Sequence, residues 1–167
     1  MRLIIGSLII FSLIILFLFA LFPSNISVRR VMQIRTSREK IQHKIADLRE
    51  WKSWNVLYVG GLKNKNTIND SLDIDSVHIQ EGYLKISLLK SVPDTVITLW
   101  QQGKRSFTGN YILTETGGQL VLEWTLQFDI KWYPWEKLAS MFYNKQLGPP
   151  MEESLLNLRN ELEKGGG

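Results

Sequence analysis

The sequence predicts an α+β fold in which a curved antiparallel sheet wraps a long C-terminal helix, preceded by one transmembrane helix. Three observations predict it. An uncharged apolar run opens the chain, alternating strand-like segments fill its middle, and an amphipathic helical segment closes it. A twisted antiparallel sheet with one apolar face must bury that face against something. Only the final segment is long enough to lie across it, an arrangement known as the helix-grip.

The opening run is Leu3 to Phe22, "LIIGSLIIFSLIILFLFALF". About 20 apolar residues are needed to cross a bilayer as a helix. A cleaved signal peptide is the competing reading. Its apolar region runs only ~7–15 residues and ends in a small-x-small site, whereas "ALFPSN" offers no Ala-x-Ala. The expectation is therefore a membrane anchor through residues 3–22. Arg2 alone precedes it, while Arg29, Arg30, Arg35, Arg38 and Lys40 follow. The positive-inside rule then favours the cytoplasmic side for the following domain over the periplasmic or extracellular side. The division expected is an anchor and linker over residues 1–25, one domain over 26–164 and a glycine tail over 165–167.

The middle and end of the chain build the domain. Ile26 to Ile34 reads as a strand with Val28, Met32 and Ile34 on one face. Arg30 interrupts that face, which places it near the strand's open end or reaching to its edge. Thr36 and Glu39 have the spacing of a capping box, and Ile41, Ile45 and Leu48 form one helical stripe. Trp51 and Trp54 follow in a short helix or turn. Residues 60–75 are rich in Gly, Asn and Asp and read as a loop or weak hairpin. Asp70, Asp73 and Asp75 lack the glycine and closing glutamate of an EF-hand loop, so a solvated acidic loop is expected. The strands "SVHIQ", "YLKISLL", "TVITLWQ", "SFTGNYILTE" and "QLVLEWTLQFDI" are separated by turn signals. In the last of them Leu120, Leu122, Trp124, Leu126, Phe128 and Ile130 alternate with polar residues, the mark of one buried and one wet face. Helices are expected over Trp135–Tyr143 and from Pro149, the latter with Met151, Leu155, Leu158 and Leu162 on one stripe and its prolines at the entry.

With these elements in order, the chain resembles the START-like superfamily and, within it, the polyketide-cyclase/dehydrase-like SRPBCC proteins. Two stretches carry the resemblance. In "RRVMQIRTSREKIQHKIADLREWKSW" a strand and helix lead to Asp47, Leu48, Trp51 and Trp54 in a D-L-x-x-W-x-x-W pattern. In "GPPMEESLLNLRNELE" Gly148, Met151, Glu152, Leu155, Leu158 and Arg159 match the family's terminal-helix pattern. Relatives often carry a glycine-rich hairpin where "KNKNTINDS" stands here. The resemblance implies a cavity between sheet and C-terminal helix that holds apolar ligands. It transfers no catalytic residue, since none is common to the superfamily.

No nucleophile elbow, P-loop, dinucleotide fingerprint or zinc-protease motif is present. There are no cysteines and only two histidines. His43 lies off its helical stripe and reads as a solvated residue. His78 lies in a strand and could face either way. No metal or cofactor is expected, and the net charge of +4 falls short of a nucleic-acid binder's basic patch. The expected function is a membrane-anchored domain binding a hydrophobic or amphipathic, lipid-like small molecule without chemistry. The cavity-lining candidates are Trp54, Trp100, Phe107, Tyr111, Trp124 and Phe128 from the body, with Trp132, Trp135, Met141, Met151 and Leu155 from the end. Trp132, Tyr133 and Trp135 around Pro134 are expected to plug the end of the core, or else to gate the cavity mouth or face lipid. The alternatives are an interaction module whose core its own side chains fill, and a cyclase- or aromatase-like enzyme.

Overall fold

A computed structural model of the protein describes residues 2–20, 24–63, 73–74, 78–81 and 84–164, with side chains described over 4–14, 16–17, 24–59 and 84–164. The elements in chain order are α1 (Arg2–Ala20), β1 (Asn25–Ile34), α2 (Arg38–Ala46), α3 (Trp51–Trp54), α4 (Val56–Lys63), β2 (Asp73–Ile74), β3 (His78–Glu81), β4 (Leu84–Val92), β5 (Thr95–Gln102), β6 (Arg105–Thr116), β7 (Gln119–Asp129), α5 (Pro134–Ser140) and α6 (Tyr143–Lys164). A 3-10 turn, Leu48–Glu50, joins α2 to α3. The strands form one seven-stranded sheet in the order β1-β7-β6-β5-β4-β3-β2, antiparallel throughout. Helix α6 packs against β1, α3 and α4, and the expected helix-grip is present.

The expected membrane span is corrected. Helix α1 covers 19 residues and ends at Ala20, and residues 21–22 of the predicted span lie outside the described residues. Among the described residues no helix is long and apolar enough to cross a membrane. A single-pass chain with its domain held on the cytoplasmic side is therefore not what the structure presents. It presents an apolar helix beside α5, with Ile5, Leu8, Phe11 and Phe17 each more than half exposed.

Alternation dictates the sheet. Leu122, Trp124 and Leu126 of β7 are fully buried, while Gln127 and Asp129 are exposed. Gly117 and Gly118, at φ +60° and +76°, supply the two left-handed residues that a tight hairpin between β6 and β7 requires. In β4 the pairing with β5 slips between Leu88 and Lys90. That bulge turns Leu89 outward, where it is exposed, as an unpaired extra residue would be.

Five local expectations shift. The N-cap of α2 is Ser37, one residue past Thr36, and its side chain makes no capping bond, so the capping box does not form. Residues 60–63, the start of the expected loop, belong to helix α4 instead. Asp73 lies in β2, and Asp70 and Asp75 lie outside the described residues. Helix α6 begins at Tyr143 and runs through Pro149 and Pro150. The burial of Gly148, Met151, Leu155 and Leu158 on the sheet outweighs the intrahelical bonds the prolines cannot make.

The fifth concerns Arg30, which lies in mid-strand opposite Trp124. It reaches α6, where its Nη1 donates to Asn144 Oδ1 at 3.0 Å and to the Arg29 carbonyl at 2.7 Å. Its Nε stands 2.6 Å from Glu152. Gly148 makes this possible, since a Cβ there would overlap Arg30 Nη2 and stand 2.8 Å from Cζ. Gly148→Ala gains ~0.8–1 kcal/mol of helix propensity but displaces charge-assisted hydrogen bonds of ~1.5–3 kcal/mol. We expect a net loss of about 1 kcal/mol in urea unfolding. In an Arg30→Ala background the same change should instead stabilise by up to ~1 kcal/mol.

Candidate functional site

The interior between sheet and α6 is aromatic. Trp51 and Trp54, one helical turn apart on α3, meet Tyr111 of β6 and Trp124 of β7, all at most 1% exposed. Trp51 and Trp54 lie edge-on with centroids 5.5 Å apart. Tyr111 stacks on Trp124 at 5.1 Å, and Trp54 meets Trp124 at 6.3 Å. From Trp51 a file of rings runs outward through Trp100 at 5.5 Å, Phe107 at 5.6 Å, Phe128 at 4.7 Å and Tyr143 at 4.9 Å. Phe107, Phe128 and Tyr143 are half-buried, so the file leads from the sealed interior to the rim.

The polar atoms within this interior divide sharply. The Trp51 indole donates to the Ile45 carbonyl at 2.8 Å. The Trp100 indole donates to Thr98 Oγ1 at 3.1 Å, and Thr98 in turn donates to the Gly109 carbonyl at 3.2 Å. Trp54 Nε1 and Trp124 Nε1 are buried with no hydrogen-bond partner, while the Asn55 amide faces the Tyr111 hydroxyl. The Asn55 Oδ1 accepts from the Tyr58 amide at 3.1 Å, in the first turn of α4. Ser154 ties that turn to α6, accepting from the Val56 amide at 2.8 Å.

Burial pushes the Tyr111 hydroxyl well above its ordinary 10.0, and the Asn55 side chain beside it offsets this only in part. A raised native pKa contributes stability that is complete below the unfolded value. That stability is lost as pH rises through it toward the native one. Tyr111→Phe removes a buried hydroxyl that lacks a well-formed hydrogen bond, so at pH 8 its stability should lie within ~1 kcal/mol of the parent. Between pH 10 and 11 the variant should gain on the parent by up to ~1.4 kcal/mol. Urea unfolding of both proteins at each pH checks this.

The structure brings most sequence candidates together. Trp54, Trp100, Phe107, Tyr111, Trp124, Phe128, Met151 and Leu155 all belong to, or pack on, the core under α6. Trp132, Trp135 and Met141 do not join them, being 67%, 66% and 60% exposed. The expected aromatic plug is therefore absent. Trp135 instead stacks on Tyr133 with planes 6° apart, and Trp132 leans on the same ring at 5.0 Å, all on the outside. Trp51, Asn55 and Tyr58 are fully buried and were not among the candidates. The three-residue spacing of Trp51 and Trp54 was the signal for the first.

Elsewhere the chemistry is that of a surface. His43 is exposed and lines an open hollow of about 450 Å³ with Glu39, Lys44, Glu50 and Glu161. Lys44 bridges Glu50 and Glu161 there. Glu123 faces away from the core and pairs with Arg29 at 2.5 Å. The side chain of His78 lies outside the described ones. Among the described residues no group of three His, Asp or Glu side chains could hold a metal ion.

No family profile matches the sequence, and no curated protein matches it. Solved structures share the fold. The di-domain aromatase/cyclase StfQ of the steffimycin biosynthetic pathway aligns over 86% of this chain and 52% of its own, at 12% identity and TM-score 0.59. A START superfamily protein from Mycobacterium smegmatis aligns over 83% and 97%, at 15% identity and TM-score 0.56. DynU16, from the dynemicin biosynthetic locus, aligns over 83% and 48%, at 12% identity and TM-score 0.55. The chain thus spans about half the length of StfQ and of DynU16. At these identities the likeness is one of fold.

Proposed function

We propose that this chain binds a planar, apolar small molecule bearing an acceptor oxygen, inside the sheet–helix grip and without chemistry. One observation supports this most: Trp54 Nε1 and Trp124 Nε1 are buried donors without partners. A buried donor left unpaired costs ~1–3 kcal/mol. An oxygen brought in by a ligand would remove that cost, while flanking rings hold the ligand's apolar body. The ring file through Phe107, Phe128 and Tyr143 is the way in from the rim. Aromatase/cyclase and START neighbours with this fold agree with such a ligand class.

A second reading has its own observation. The rings of Trp51, Trp54, Tyr111 and Trp124 already touch one another and are sealed from solvent, as in an interaction module with a filled core. Native mass spectrometry and intrinsic-fluorescence titration with anthraquinone, a planar carbonyl probe, separate the two. A one-to-one adduct that quenches the buried indoles and weakens several-fold in Phe107→Ala supports binding. No adduct and unchanged emission would sink it in favour of the filled core.

A further inference from the structure

Helix α5 is built inside out. Its buried residues are Lys137 and Ser140, while Trp135, Leu138 and Met141 are 48–66% exposed, joined by Trp132 before the helix and Phe142 after it. A globular helix normally turns its apolar stripe to the core. Here the fold turns that stripe outward and takes the polar side inward, so the apolar face is presented to something outside the chain. We infer that residues 132–142 form a docking face for an anionic lipid surface.

Three features choose this occupant. The patch is chemically that of an interfacial segment, with indole and phenol rings beside aliphatic and thioether side chains. Its rim is cationic: Lys131 and Lys145 are exposed at its two ends. Arg105, also largely exposed, stands 4.0 Å from Glu136 and leaves Asp129 as the acidic group at the strand end. Lastly, α1 lies beside α5, and its Ile4, Ile5, Leu8, Ile9, Ile10 and Phe11 are exposed. At 100° per residue those positions face all round the helix. That exposed apolar surface adjoins the α5 patch, so the two can rest on one lipid surface. The contact is one of the surface-lying segment and requires no helix to cross the bilayer.

The indoles supply the test, because Trp51, Trp54, Trp100 and Trp124 are buried and only Trp132 and Trp135 are two-thirds exposed. The full chain, diluted from mild detergent, is mixed with phosphatidylcholine vesicles with or without phosphatidylserine, and indole emission is read under acrylamide. With phosphatidylserine present, the quenchable emission should fall several-fold and shift to the blue, and high salt should weaken the effect. The paired substitution Trp132→Gln with Trp135→Gln should lower co-sedimentation of the chain with phosphatidylserine vesicles several-fold yet leave the urea unfolding midpoint in place, and unchanged co-sedimentation would overturn the inference. Indoles equally quenchable with and without vesicles would overturn the inference, even if α1 alone carries the chain to lipid. So would equal protection by neutral vesicles, or protection that grows with protein concentration without vesicles and so marks a second copy as the occupant. None of these outcomes depends on anthraquinone binding in the interior.

Discussion

Trp124→Ala is expected to destabilise the domain by about 3–5 kcal/mol, the range for truncating a buried aromatic. The indole is 0% exposed, in the middle of a central strand, opposite Arg30 on one side and Tyr111 on the other. Its ring is the face on which Tyr111 stacks and the edge of Trp54 rests. Removing it opens a hole that three neighbours on three different elements line, and strands held in register cannot close it. Native domains are stable by only ~5–15 kcal/mol, so the variant should lose much of its margin, read as a fall in the urea midpoint by far-UV circular dichroism. Relief of the unpartnered Nε1 recovers part of the loss, ~1 kcal/mol or more, and the lower half of the range is the closer expectation. Trp135→Ala is the control. At 66% exposure it should move stability by no more than ~0.5 kcal/mol. Equal effects at the two positions would mean that α6 does not seal the sheet face as described.

The contrast between those two tryptophans shows how far the fold was legible. Period-2 alternation over 120–130 points one set of side chains to one face, and nothing local can reverse that without flipping every partner. The burial of Trp124, Leu122 and Leu126 followed. So did that of Ile41, Ile45, Met151, Leu155 and Leu158, where helical spacing makes one stripe. At Trp135 no period constrains the outcome. An aromatic cluster at an element junction packs inward if the helix after it turns its apolar side in, and α5 turns Lys137 in instead. The start of α6 is hidden in the sequence because Pro149 and Pro150 are strong entry signals, and only tertiary burial carries the helix through them. The second half of helix α4 is hidden in the sequence because Gly60 and Gly61 weaken a helix by ~1 kcal/mol each, although Asn55, whose Oδ1 accepts from the Tyr58 amide, is a local start signal. The ring-lined half of the candidate site was legible from alternation. The unpartnered donors were not, since pairing depends on distances between elements far apart in sequence.

Gly109→Ala should rank next, at about 2–4 kcal/mol. The residue has ordinary extended backbone, so space alone decides the outcome. An added Cβ would stand 2.7 Å from Thr98 Oγ1, 3.0 Å from Trp100 Nε1 and 3.5 Å from Leu126 Cδ2. Those first two atoms share a buried hydrogen bond, and the Thr98 hydroxyl donates onward to the Gly109 carbonyl. One methyl group therefore pushes apart two hydrogen bonds in the buried layer where β5, β6 and β7 meet. Overpacking costs ~1–3 kcal/mol, each buried polar group left unpaired ~1–3 kcal/mol, and the lower backbone entropy of alanine returns only ~0.5–1 kcal/mol. A double-mutant cycle makes the cause testable. Thr98→Ala removes the closest obstructing atom, so Gly109→Ala should cost at least ~1 kcal/mol less in that background than alone. If the two costs simply add, the methyl group is being accommodated by the strand moving as a whole, and the close approach of β5 to β6 at Gly109 is not what sets the Trp100 ring in the file that leads to the interior.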